Sequence, residues 1–78
     1  MTHAVIWSKN DCGFCVQAKM LLEQHNIEYE ERRIGEGYTR DDLLAVVPNA
    51  RTVPQIFLDG ELVGGFTELN QLLQQGSQ

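Results

Sequence analysis

The chain contains few of the residues that staple or anchor small proteins. Its 78 residues include only two cysteines and two prolines. Two cysteines are too few for the disulfide framework of a small secreted scaffold. The longest apolar runs, Ala4 to Trp7 and Leu43 to Val47, are four and five residues long. A membrane span needs roughly 20, so none is expected. No basic patch followed by an apolar stretch opens the chain, and no secretory signal is read there. Basic residues are scarce. Six Lys and Arg against eleven Asp and Glu give a net charge of −5, which disfavours nucleic acid as a partner. Repeats, low-complexity tracts and linkers are absent as well. Residues 1–78 therefore read as one domain near the lower size limit for an unstapled fold. A hydrophobic content of 42% and a charged content of 22% suit a folded soluble domain rather than a disordered one.

Periodicity supplies the elements. Ala4-Val5-Ile6-Trp7 is rich in β-formers and predicts a buried strand. From Phe14 to His25 the pattern is helical, with Cys15, Ala18, Leu21 and Leu22 on one face. Lys19 and Glu23 are spaced for an i,i+4 ion pair, and Asn26 can close the helix in a left-handed conformation. Ile27 to Ile34, with Tyr29 as its interior apolar residue, predicts a polar edge strand. Gly35-Glu36-Gly37 is a loop. Thr39 with Asp42 forms a capping-box pattern ahead of a short helix over Arg40 to Val47, which Pro48 ends. Gln55 to Leu58, Asp59-Gly60 and Glu61 to Val63 make a hairpin signal. After Gly64-Gly65, the residues Leu69, Leu72 and Leu73 mark a last helix beginning at Thr67 and fraying through residues 74–78. The order β-α-β-α-β-β-α predicts an α/β fold. Its sheet has four strands of mixed direction and is flanked by helices.

The chemistry centres on Cys12-Gly13-Phe14-Cys15. A bridge this short restricts little of the unfolded chain, so these thiols are read as reactive rather than structural. Cys-x-x-Cys at a strand–helix junction is a thioredoxin-like signature. Cys12 falls at the helix N-terminus, where free N–H groups and the macrodipole favour an anion. Such sites lower a thiol pKa from ~8.5 into the range ~3.5–7.5. Cys15 lies on the face with Ala18 and Leu22 and is expected to be the more buried. Cys12 is thus the attacking thiol and Cys15 the resolving one. Zinc is not expected, because His3 and His25 have no finger-like spacing to the cysteines. Reactive thiols without an export signal suggest a reducing, cytoplasmic setting.

Three segments in order then carry a resemblance. They are Trp7-Ser8-Lys9-Asn10-Asp11-Cys12-Gly13-Phe14-Cys15, Arg51-Thr52-Val53-Pro54-Gln55-Ile56-Phe57-Leu58-Asp59-Gly60, and Val63-Gly64-Gly65-Phe66-Thr67-Glu68. From Val5 to about Leu73 the chain resembles a dithiol glutaredoxin of the thioredoxin fold. The resemblance implies glutathione-dependent reduction of protein disulfides and glutathione mixed disulfides, with ribonucleotide reductase as one such client. It implies a cis bond before Pro54, which turns the Val53 backbone toward Cys12 so that an extended peptide can pair with it. It implies a glutathione groove formed by Lys9, Phe14, Arg51, Thr52, Val53, Pro54, Gly65, Phe66, Thr67 and Glu68. Within that groove Lys9 faces either the thiolate or the glycyl carboxylate, for which Arg51 and Arg40 are further candidates. The N–H groups at Thr67 receive the γ-glutamyl carboxylate. Many members of the family place an acid directly after the position of Phe66. Here that position is Thr67, and Glu68 follows as the candidate for the ammonium contact.

Two other functions fit parts of the pattern. One is a redoxin reduced by thioredoxin reductase. The other is a glutathione-assisted iron–sulfur carrier, since Cys-Gly-Phe resembles the start of the motif in carrier glutaredoxins. Cys15 replaces the serine of those carriers, and the insertion they hold between the lysine and the cysteine is missing. No resident metal is expected, and glutathione enters as co-substrate. The chain is expected to act as a monomer.

Overall fold

A computed structural model describes residues 2–75. The elements are β1 (His3–Lys9), α1 (Gly13–Gln24), β2 (Glu28–Ile34), α2 (Arg40–Val46), β3 (Gln55–Leu58), β4 (Glu61–Gly64) and α3 (Phe66–Gln75). They form a sheet of order β2-β1-β3-β4. β1 and β2 run parallel, while β3 is antiparallel to both β1 and β4. This is the predicted mixed four-stranded architecture, with β2 at an edge.

Side-chain alternation along β1 divides the core. Ala4 and Ile6 face α1 and α3 and pack with Ala18, Leu22, Ile56 and Leu69. Trp7 faces the other way and packs with Leu43 and Val47 from and beside α2. Buried Ser8 continues the first face and points its hydroxyl at Glu31 rather than into apolar packing.

The local signals act through identifiable bonds. Thr39 and Asp42 exchange both capping-box hydrogen bonds, at 3.1 and 2.8 Å. Asn26 adopts φ 57° and closes α1 through its N–H to the Glu23 carbonyl. Asp59 and Gly60 both take positive φ, as the two-residue hairpin turn requires.

Three expectations are corrected. β1 extends through Ser8 and Lys9, because β2 supplies ladder partners Arg33 and Ile34 for both. The Lys19–Glu23 pair does not form. Lys19 reaches Glu31 at 3.0 Å instead, and Glu23 accepts from the Tyr29 hydroxyl at 2.8 Å. An exposed i,i+4 pair contributes only ~0.3–0.5 kcal/mol, less than a half-buried carboxylate already anchored by other donors. Finally, α3 begins at Phe66 rather than Thr67 and remains helical through Gln75, so residues 74 and 75 do not fray. The expected fraying of residues 76–78 lies outside the described residues. In α3, Leu69 is buried, whereas Leu72 is 44% exposed.

Candidate active site

Cys12 is the N-cap of α1, and its sulfur accepts the Cys15 N–H at 3.2 Å. That donor is one of the helix N-terminal N–H groups with no partner inside the helix. Asp11, with φ 58°, makes the turn from β1 into the cap. Cys12 and Cys15 are joined in a disulfide with their Cα atoms 5.2 Å apart. Cys15 is 2% exposed and Cys12 is half-buried. The sulfur open to an incoming group is therefore the one that the helix terminus serves.

The loop before β3 lies against this sulfur. The Val53–Pro54 bond is cis, and the Val53 carbonyl oxygen lies 3.8 Å from Cys12 Sγ. In the disulfide that sulfur carries no proton, so the approach is a van der Waals contact. Reduction would supply the thiol hydrogen.

Two clefts meet at Thr52 and Val53. Lys9, Arg40, Arg51, Thr52 and Val53 line the first, over an apolar floor. Its cations come from three separate segments: the end of β1, the start of α2 and the loop before β3. Among the described residues none of the three is in an ion pair. Phe14, Pro54, Gly65, Phe66, Thr67 and Glu68, again with Thr52 and Val53, line the second. The rings of Phe14 and Phe66 approach to 6.1 Å between centroids, and Phe14 is 61% exposed. Every residue expected to form the groove lines one of these clefts. Glu68 is already engaged, since its carboxylate accepts the Gly65 N–H at 2.8 Å.

A third cleft opens on the other side of the disulfide. It is lined by Lys9, Asp11, Cys12, Cys15, Lys19 and Arg33, among others. Behind it, Glu31 Oε2 accepts from Ser8 Oγ at 2.6 Å, Lys19 Nζ at 3.0 Å and Arg33 Nη2 at 3.1 Å. Partial burial would raise the pKa of Glu31, but these hydrogen bonds outweigh it and hold the value near 2, against the ordinary 4.5. The sequence reading missed this cluster. The one available signal was alternation along β2, which puts Tyr29, Glu31 and Arg33 on the α1 side of the strand. Among the described residues no three His, Cys, Asp or Glu gather as a metal site would require.

A disulfide at the start of a helix, on a βαβ unit extended by a hairpin and a final helix, places this chain among the proteins of the thioredoxin fold. The family is narrower. The chain belongs to the glutaredoxins, whose family model matches residues 4–63. It is 36% identical over 75 residues to the mitochondrial glutaredoxin-2 of Homo sapiens, covering 92% of this chain and 46% of that protein. The chain spans about half the length of such mitochondrial relatives. Among solved structures, glutaredoxin 1 from Francisella tularensis complexed with cacodylate superposes with a TM-score of 0.82 at 33% identity. That match covers 96% of this chain and 95% of the other. A buckwheat glutaredoxin–glutathione complex superposes with a TM-score of 0.81 at 27% identity, covering 94% and 69%.

Proposed function

We propose that this protein takes electrons from glutathione and uses Cys12 and Cys15 to reduce protein disulfides and glutathione mixed disulfides, with ribonucleotide reductase as one client. The observation carrying this reading is the pairing of the two clefts across Val53. Glutathione is a short peptide with its thiol in the middle, a carboxylate at one end and an amino-acid head at the other. The Lys9–Arg40–Arg51 cleft suits the single carboxylate. The start of α3 offers N–H groups for the head's carboxylate, and Glu68 lies beside them for its ammonium. Val53 lies between the two, with its carbonyl facing Cys12. The buckwheat glutathione complex supports this reading. The protein acts as a monomer in a reducing compartment such as the cytoplasm, where the dithiol form persists.

The test compares two disulfides in a glutathione-coupled assay, one a glutathione mixed disulfide and the other lacking the γ-glutamyl group. Thr67→Pro removes one N–H at the second helical position, where proline is tolerated. The expected loss falls on the glutathione substrate. Equal losses on both, or turnover only with thioredoxin reductase, would overturn the glutathione reading in favour of the thioredoxin-reductase one.

A further inference from the structure

The disulfide exposes an electrostatic requirement that the helix terminus does not meet. A thiolate of low molecular weight attacks Cys12 Sγ. A sulfur–sulfur bond forms between them, the Cys12–Cys15 bond breaks, and its electron pair leaves on Cys15 Sγ. A second thiolate later removes the first as its own disulfide and leaves both cysteines reduced. During the first step the new charge sits on a residue that is 2% exposed, where burial penalises an anion. The N–H at the head of α1 is already directed at Cys12. Cys15 instead faces the interior with Ala18 and Leu22.

The charged residues around it come from each neighbouring element. β1 and its following turn bring Lys9 and Asp11, α1 brings Lys19, and β2 brings Arg33 with Glu31 behind it. The one charged residue of α3 is Glu68, which is bound to Gly65 in another cleft. Lys19 is four residues after Cys15 on the same helix, hence its neighbour one turn along. Its side chain is 20% exposed, against 36% for Arg33, which also leans toward Glu36. Lys19 is drawn inward because Glu31 is itself tied to the fully buried Ser8.

We propose that Lys19, held over the resolving side of the disulfide by Glu31, is the cation that receives the charge of Cys15 when a thiol opens the bond. Glu31 is then a positioning residue, and Ser8 fixes Glu31. The proposal rests on the dithiol reading of the site and is independent of which thiol supplies the electrons.

The test uses the Cys12→Ser protein, in which Cys15 is the remaining thiol, titrated by ultraviolet thiolate absorbance. Adding Lys19→Gln is expected to raise the Cys15 midpoint by about one unit, or about tenfold less thiolate at a given pH below it. Lys19→Arg is expected to restore most of the shift. Lys19→Met, which keeps the aliphatic stem, gives the same reading if the glutamine variant is unstable. Glu31→Gln separates positioning from plain Coulombic attraction. Removing an anion lowers the midpoint if Lys19 stays in place, whereas losing the anchor raises it, and a rise is expected. An unchanged midpoint in Lys19→Gln, or a fall in Glu31→Gln, overturns the proposal. No glutathione is present in this titration, so a negative result leaves the glutathione reading standing.

Discussion

Glu68 turns back one helical turn and takes the Gly65 N–H at 2.8 Å. One side chain therefore closes the turn into α3 and forms the rim of the cleft opposite Cys12. Glu68→Gln keeps an acceptor for Gly65 but loses the charge. It is expected to leave the melting temperature almost unchanged while raising KM for a glutathione mixed disulfide about tenfold, the scale of one charged hydrogen bond. Glu68→Ala is expected to raise KM similarly and also to lose about 1 kcal/mol of stability, as a lost cap does. Thermal unfolding beside steady-state kinetics separates the two effects.

Gly64 precedes that turn with φ +122°, and a Cβ there would lie 3.1 Å from Glu68 Cγ. Gly64→Ala is expected to cost more than ~1 kcal/mol, because both the backbone conformation and the contact oppose it. Denaturant unfolding measures this. A stability equal to the parent's would mean that the turn relaxes freely.

The two cysteines are expected to have separable roles. Cys12→Ser is expected to abolish all thiol–disulfide exchange. Cys15→Ser is expected to retain reduction of glutathione mixed disulfides and to lose reduction that needs both thiols. Loss of the one-thiol reaction in Cys15→Ser would reverse the assignment of attacking and resolving thiols.

Glu31 makes stability depend on acid. Its pKa in the fold is about 2, below the ordinary 4.5. On acidification the unfolded chain therefore takes up the proton first. The stability that Glu31 contributes is complete above pH 4.5 and is lost as the pH falls toward 2. Glu31→Gln should show a lower melting temperature than the parent at neutral pH, with the gap narrowing across that window. A constant gap would show that the three donors do not favour the ionised form.

Local signals in the sequence read well where one segment carries all its own information. The capping box at Thr39 and Asp42, the Asp59-Gly60 turn and the Asn26 helix end each lie within a few residues of the groups they satisfy. The resemblance carried by the Cys-x-x-Cys, Thr52-Val53-Pro54 and Gly64-Gly65 segments named residues that line the two clefts. The Ser8–Glu31–Lys19–Arg33 cluster was not legible, because it joins three elements whose adjacency is fixed only by the parallel pairing of β1 and β2. The i,i+4 spacing of Lys19 and Glu23 pointed to the wrong partner for the same reason. A spacing rule counts neighbours along one helix and cannot weigh a carboxylate from a strand beside it. The start of α3 at Phe66 was not legible because Gly65 occupies the position before the helix, and glycine carries no side-chain signal there.

The packing of α2 against the sheet also gives the molecule a built-in optical reporter. Trp7 is the only tryptophan and is 2% exposed. Its ring lies edge-on to Tyr38 at 5.4 Å and under the Arg32 guanidinium at 5.4 Å. It faces away from α1, although its own strand leads directly into Cys12. Its emission should be blue-shifted in the fold, because water is excluded from the ring. It should move to the red when α2 or β2 separates from β1. Fluorescence therefore follows the face of the sheet opposite α1, while thiol titration follows the disulfide. Recorded together on one sample, the two signals can show whether opening the disulfide loosens the far side of the domain.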